Sequence, residues 1–344
     1  MTQTDAVFKT ASVFFLVDTF RWNVSKTTRR VVSTFFYVIL SLMSSIRQSL
    51  ITDKPSRLVA LIESALVILI WASSYVIIRL GVGEQKIIGP LTLAGIRYTL
   101  GALILFPFMF RVGNPFRSLS FSVWQRLFWL GVSSYTVANG ALYWALQYIS
   151  STTSSFILSL VPLMMLFASS IFLDERPTRQ QVLGVLISIA GGMFFFARGF
   201  QGNELTGVIV VSIGTLGFVA FGVLGRGLAR SGQTDALTMS ALPLFFGGGI
   251  TLIIALISEG IPNLSLYAWG IIFWLAIINT AFAYTIYNHS LRVLTAVEMG
   301  AMRNSSPLWT ALFAWVLLGE VVKVEQLIGI VIVIAGVTMV QWRK

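Results

Sequence analysis

The chain has 344 residues, of which 56% are hydrophobic types and only 11% are charged, and its mean hydropathy is +0.84. A water-soluble domain carries about 25% charged residues, so most of this chain has lipid as its solvent. The absence of cysteine excludes disulfides, thiolate nucleophiles and cysteine metal sites, and a single histidine excludes a multi-histidine metal centre; no cofactor is expected.

The net charge of +11 does not point to nucleic acid. Its Lys and Arg residues sit in short links between apolar runs, where they act as orientation signals. In chain order, residues 1–57 form a basic extension with eight Lys or Arg against three Asp. Three readings of it stay open: a transit-like leader, an interfacial helix over 31–46, or translation from a later start such as Met43.

A spanning helix needs about 20 mostly apolar residues. From Leu58 onward ten such runs follow: 58–80, 88–110, 126–148, 152–173, 180–198, 206–228, 236–258, 267–290, 296–318 and 324–342. The first is closed by Gly81-Val-Gly83 and the second by Gly113-Asn114-Pro115. Asp174 to Pro177 closes the fourth, after which Thr178 and Gln181 predict a capping box that starts the fifth. With the N-terminus placed inside, inner links hold twelve Lys or Arg from Lys54 onward, and outer links hold four, Arg79, Lys86, Arg198 and Lys323. Both termini are therefore expected on the cytoplasmic side of a plasma (inner) membrane.

A shift of 145 residues aligns the two halves without a gap. Phe128-Trp129-Leu130 falls on Phe273-Trp274-Leu275, Pro162 on Pro307, Glu175 on Glu320, Gln181 on Gln326, and Gly184 and Gly191 on Gly329 and Gly336. Apolar residues match often by chance, whereas paired Pro, Glu, Gln and Gly at one offset do not. Each half holds five spans, an odd number, so the second half enters the membrane in the opposite sense. The expected fold is an all-α membrane protein of ten transmembrane helices in two inverted five-helix repeats, 58–198 and 206–342, a construction that recurs in secondary transporters.

Several stretches carry a resemblance. They are Trp71-Ala-Ser-Ser-Tyr75, Arg97-Tyr-Thr-Leu-Gly-Ala102, Tyr143-Trp-Ala-Leu-Gln-Tyr148, Pro162, Leu173-Asp-Glu175 and Gly184 through Gly192, with Pro307, Gly319-Glu320 and Gly329 to Gly336 in the second half. On these the chain resembles the drug/metabolite transporter superfamily, specifically its ten-helix members with two EamA domains. The resemblance implies export or exchange of small metabolites such as amino acids. It also implies a central cavity lined by helices one, three, four, six, eight and nine. The stretch 206–258 departs from the pattern, with no counterpart of Trp71 or Arg97 at the shared offset.

Charges inside spans cost about 2.5–3.5 kcal/mol on insertion scales and need a reason. Arg97 in the second span is either an anion contact or a structural guanidinium bonded to carbonyls or an acid. Arg303 stands beside Pro307 in the ninth span, where the first half has Leu158. It is a substrate-contact candidate, with a pair to Glu298 or to Glu63 as the alternative. Glu63 is a candidate for a coupling proton if burial raises its pKa, and otherwise reaches the interface. His289 reads as an interface residue or a pH switch. Asn139 and Tyr143, one turn apart, recur at the offset as Tyr284 and Asn288. These four, with Trp71 and Tyr75, are cavity candidates whose alternative role is interhelical packing. Pro162 and Pro307 are expected helix breaks.

No Walker lysine motif is present, and Gly81-Val-Gly83 lacks the third glycine of a dinucleotide loop, so transport is expected to run on a gradient. The expected partners are a small-molecule substrate, protons as a candidate coupling ion, and the bilayer. Competing readings are a sugar-phosphate or nucleotide-sugar exchanger, which wants several cavity cations, and a non-transporting scaffold or receptor.

Overall fold

A computed structural model describes residues 56–83, 87–112, 119–172, 178–197, 199, 202–231, 233–234, 236–290, 293–294 and 302–341. The readings of the N-terminal extension fall on residues outside that set, apart from 56 and 57. Every regular element among the described residues is helical. Among the described residues five helical stretches are long and apolar enough to cross a bilayer, one of them running over the turn at Leu160, and four further apolar segments run for 10–17 residues.

The elements are α1 (Arg57–Val82), α2 (Pro90–Val112), α3 (Phe121–Gly131), the π-helical segment π1 (Val132–Ala138), α4 (Asn139–Ala145), α5 (Ser151–Ser159), α6 (Val161–Phe172) and α7 (Arg179–Phe195). The second half continues with α8 (Glu204–Ser231), α9 (Ala236–Ser258), α10 (Leu266–Ala276), π2 (Ile277–Phe282), α11 (Ala283–Ser290), α12 (Ser306–Leu318) and α13 (Val324–Gln341). Boundaries recur at the 145-residue offset. Phe121, Val132 and Val161 begin elements in the first half, and Leu266, Ile277 and Ser306 begin their counterparts.

Two expected bounds shift. The third span begins at Phe121 rather than 126, and Arg126 sits on the exposed side of its first turns. The fourth span is two helices, α5 and α6, parted at Leu160 with Pro162 in the first turn of α6. Pro307 stands at the same place in α12, in a first turn where the missing N–H costs nothing.

Helix α7 shows how the bundle is held. Its buried stripe is Gln181, Gly184, Ser188, Gly191 and Phe195, spaced three and four residues apart. Its exposed stripe is Leu183, Leu186, Ile189 and Met193. Small residues face protein and large apolar ones face outward, the pattern of a helix in lipid, where close backbone approach drives association. The predicted capping box is present, with Gln181 accepting from the Thr178 amide at 2.9 Å. Gln326 accepts from the Lys323 amide at 3.1 Å at the head of α13.

Helices α7 and α13 are counterparts, and they pack along their length in opposite directions. Gly184 lies against Gly336 and Val340, and Gly191 lies against Gly329 and Val333. The counterparts α2 and α9 do the same, with Gly95 on Leu252 and Gly248 on Tyr98 and Thr99. At one end of this seam the Glu259 carboxylate accepts from the amides of Leu91 and Thr92, each at 2.9 Å. It thereby satisfies donors that the start of α2 leaves open.

A side chain on Gly336 would meet Ser188 Oγ at 2.4 Å and the Gly184 carbonyl at 2.6 Å, whereas one on Gly192 would meet nothing within 4 Å. Gly336→Val is therefore expected to destabilise the protein by about 1–3 kcal/mol. Gly192→Ala is expected to leave it unchanged or slightly more stable. Thermal unfolding of the detergent-purified variants checks both.

Candidate functional site

The polar interior centres on Arg97, near the middle of α2 and 4% exposed. A cation at that depth needs partners in the protein, because lipid supplies none. Its Nε donates to Thr280 Oγ1 at 2.8 Å, Nη1 to the Tyr143 hydroxyl at 2.5 Å, and Nη2 to the Asn279 carbonyl at 3.3 Å. The guanidinium carbon lies 5.2 Å from the centre of the Tyr98 ring, within cation–π range. Among the described residues no carboxylate pairs with it.

The π-helical turn makes this arrangement possible. In π2 the Thr280 hydroxyl donates to the Leu275 carbonyl, five residues back, at 3.0 Å, and so turns its lone pairs toward Arg97. Asn279, also in π2, donates from Nδ2 to the Ile70 carbonyl and to Ser73 Oγ, which fastens π2 to the middle of α1. Such turns are frequent at functional sites. Asn279 and Thr280 are fully buried. Sequence reasoning missed both, although an adjacent Asn-Thr pair in the apolar run 267–290 was a visible signal.

Aromatic residues surround this core. Tyr98 lies tilted against Tyr135 with centroids 4.9 Å apart and edge-on to Tyr143 at 6.0 Å. Trp71 lies 5.5 Å from Tyr284 and 5.2 Å from Tyr287. Tyr75, one turn beyond Trp71 on α1, stands within electrostatic range of both Arg97 and Arg303, and of Tyr143 and Tyr284. Trp71, Tyr75, Tyr143 and Tyr284 therefore converge with the two arginines. Tyr98, Tyr135 and Tyr287 join them, and sequence reasoning had passed these three over.

Arg303 follows a different logic. It lies just before the break at Asn304 and Ser305 that precedes α12, is exposed, and makes no hydrogen bond or ion pair to a described residue. Its charge reaches Tyr75 and Tyr287. The expected alternative of a Glu63–Arg303 pair is not formed. Glu63 is 2% exposed instead of reaching an interface, and its carboxylate accepts from Ser290 Oγ at 3.1 Å. Asn139 donates from Nδ2 to the Ser134 carbonyl in π1 at 2.8 Å, a carbonyl that also accepts the Asn139 backbone amide across the π turn. Glu298 lies outside the described residues, as do the side chains of Asn288 and His289.

An ion pair joins distant parts of the chain at one end of α1. Arg79, near the end of α1, places Nε 2.8 Å from Glu320 Oε1. Its Nη1 donates to the Leu146 carbonyl at 2.7 Å and also to the Ile149 carbonyl, just past the end of α4. Glu320 Oε1 also accepts from the Ser151 amide, the start of α5, at 3.4 Å. Gly319, at φ 68°, ends α12 in the left-handed conformation and aims Glu320 at this junction. Burial pushes the Glu320 carboxyl up from its ordinary value, against the pull of Arg79 and of the Ser151 and Thr152 amides.

The chain compares with known proteins as follows. Residues 58–197 and 205–342 each match the EamA-like transporter family. An "uncharacterized transporter" of Archaeoglobus fulgidus is 26% identical over 79% of this chain and 94% of its own. The "uncharacterized transporter YyaM" of Bacillus subtilis is 25% identical over 60% of this chain and 70% of its own. The "uncharacterized inner membrane transporter YedA" of Escherichia coli is 22% identical over 80% and 88%. A solved crystal structure with 15% identity superposes at a TM-score of 0.58, covering 83% of this chain and 98% of that one. This last likeness concerns the fold alone.

Thr280→Val strands the Nε–H of Arg97 and is expected to cost about 1–3 kcal/mol, the penalty for a buried donor without an acceptor. Thr280→Ser is expected to retain most of the stability. Melting temperatures of the two purified variants check this.

Proposed function

The chain belongs to the EamA-like transporter family and is an integral membrane protein, and from that premise we propose that it is a secondary transporter that exports or exchanges small metabolites such as amino acids. The proposed architecture is ten spans in two inverted five-helix halves, 58–198 and 206–342, with both termini cytoplasmic. Transport runs by alternating access, in which the halves rearrange to expose one chamber to each face in turn.

The observation that carries this reading is the antiparallel packing of counterpart helices, α7 on α13 and α2 on α9. This is the packing expected of two copies of one bundle when one is turned over relative to the other. The candidate chamber supports an anionic or zwitterionic cargo. Its aromatic wall of Trp71, Tyr75, Tyr284 and Tyr287 stands near one arginine bonded to protein and one that bonds to no described residue. A cation with no protein partner costs least when it meets a charged group of the cargo. In this division of labour Arg97 positions the helices and Arg303 meets the substrate.

Flux in sealed vesicles of purified protein tests the reading. Arg303→Ala is expected to cut uptake of an anionic or zwitterionic metabolite by at least about tenfold, the loss of one charge-assisted contact, while the variant inserts normally. Unchanged flux would remove Arg303 from the site, and no flux of any metabolite in the parent protein would favour a scaffold or receptor. Because the chain has no cysteine, single cysteines report topology cleanly. Thr178→Cys and Val321→Cys are expected to react with an impermeant thiol reagent from opposite faces; reaction from the same face would end the inverted-repeat proposal.

A further inference from the structure

The Arg79–Glu320 pair gathers four chain segments at one point. Arg79 comes from the end of α1, Leu146 and Ile149 from the link after α4, Ser151 from the head of α5, and Glu320 from the link after α12. Charges and helix ends match. The guanidinium sits on carbonyls past a helix C-terminus, and the carboxylate sits on an amide at a helix N-terminus. The pair also joins the two halves, since Arg79 belongs to the first and Glu320 to the second. One turn inward is Tyr75, whose carbonyl accepts from Ser151 Oγ at 3.3 Å. Tyr75 lies within electrostatic range of both Arg97 and Arg303. The ion pair therefore lies one turn of α1 from a residue of the aromatic cluster.

A structural staple and a latch differ in how firmly they hold. The two side chains are 21% and 18% exposed, so the pair is partly wetted. Burial keeps the Glu320 carboxyl above its ordinary value even with Arg79 in contact. A partly exposed ion pair holds less firmly than a fully buried one. At the offset of 145, Leu224 stands where a second Arg79 would be, so the sequence does not repeat this arginine.

We propose that the Arg79–Glu320 pair is the latch of one mouth of the chamber, closing the face that carries the Gly319–Lys323 link and parting when substrate passes there. The proposal rests on the alternating-access reading above, but its test needs no substrate. Tyr75→Cys is introduced into the cysteine-free full-length chain in sealed vesicles, and an impermeant thiol reagent is applied to each face separately. Adding Arg79→Ala is expected to speed labelling from the Glu320 face by at least about tenfold, the fold-change that loss of one charge-assisted hydrogen bond produces. Arg79→Lys, which keeps the charge, is expected to label more slowly than Arg79→Ala. Labelling from the other face is expected to stay constant or fall. Equal rates for parent and Arg79→Ala overturn the latch, as do equal rates for Arg79→Lys and Arg79→Ala. A rise from both faces also overturns it, because that marks a loosened bundle rather than an opened mouth. Failure of the flux assay with normal labelling behaviour would count against the transport reading and leave the latch standing.

Discussion

A guanidinium buried among apolar helices has to find its acceptors inside the protein, and much of this interior is arranged around that need. Arg97 spends its hydrogen bonds on Thr280, Tyr143 and the Asn279 carbonyl. Those three acceptors come from π2 and α4, two elements far apart in the chain. A regular α-helical turn at Ile277–Phe282 would bond each carbonyl four residues on and leave less to offer. The π turn shifts that pattern by one residue, so Thr280 bonds Leu275 and keeps its lone pairs for Arg97. Through Asn279 the same turn grips Ile70 on α1. One buried charge thereby sets the relative positions of α1, α2, α4 and π2.

Outside this polar centre the bundle is held by shape. In lipid, apolar side chains gain little by turning inward, so association rests on close packing of small residues. The α7–α13 seam, with glycines at 184, 191, 329 and 336, leaves no room for a single added carbon atom. The α2–α9 seam is similarly tight and is capped by Glu259. These two seams are close-packed. Between them lie helices with π turns at Val132–Ala138 and Ile277–Phe282 and breaks near Leu160 and Ser305. Irregular backbone of this kind is tolerated at membrane depth where it lines a protein cavity. Close-packed seams and interrupted helices thus occupy different parts of the bundle.

Much of this was legible in the chain before its fold. Composition, periodic apolar runs and the 145-residue offset are local or one-dimensional properties, and they bound the solvent, the helical class and the places where elements end. The capping box at Thr178 and Gln181 is set within four residues and could be read directly. Trp71, Tyr75, Tyr143, Tyr284, Arg97 and Arg303 could be picked out because polar and aromatic residues at membrane depth are conspicuous. Asn139 could not be judged, since its use depends on a π turn that no apolar pattern announces.

Partnership is where one-dimensional reasoning ends. Arg97 and Arg303 look alike in sequence, each a lone arginine in an apolar run, yet one is bonded three times over and the other not at all to a described residue. Glu63 is held by Ser290 rather than by Arg303, and Arg79 meets a carboxylate 241 positions away (320 − 79) in the other half. Residue spacing along a helix determines depth and face. Which neighbour fills that face depends on how the helices cross, and only the folded bundle decides that.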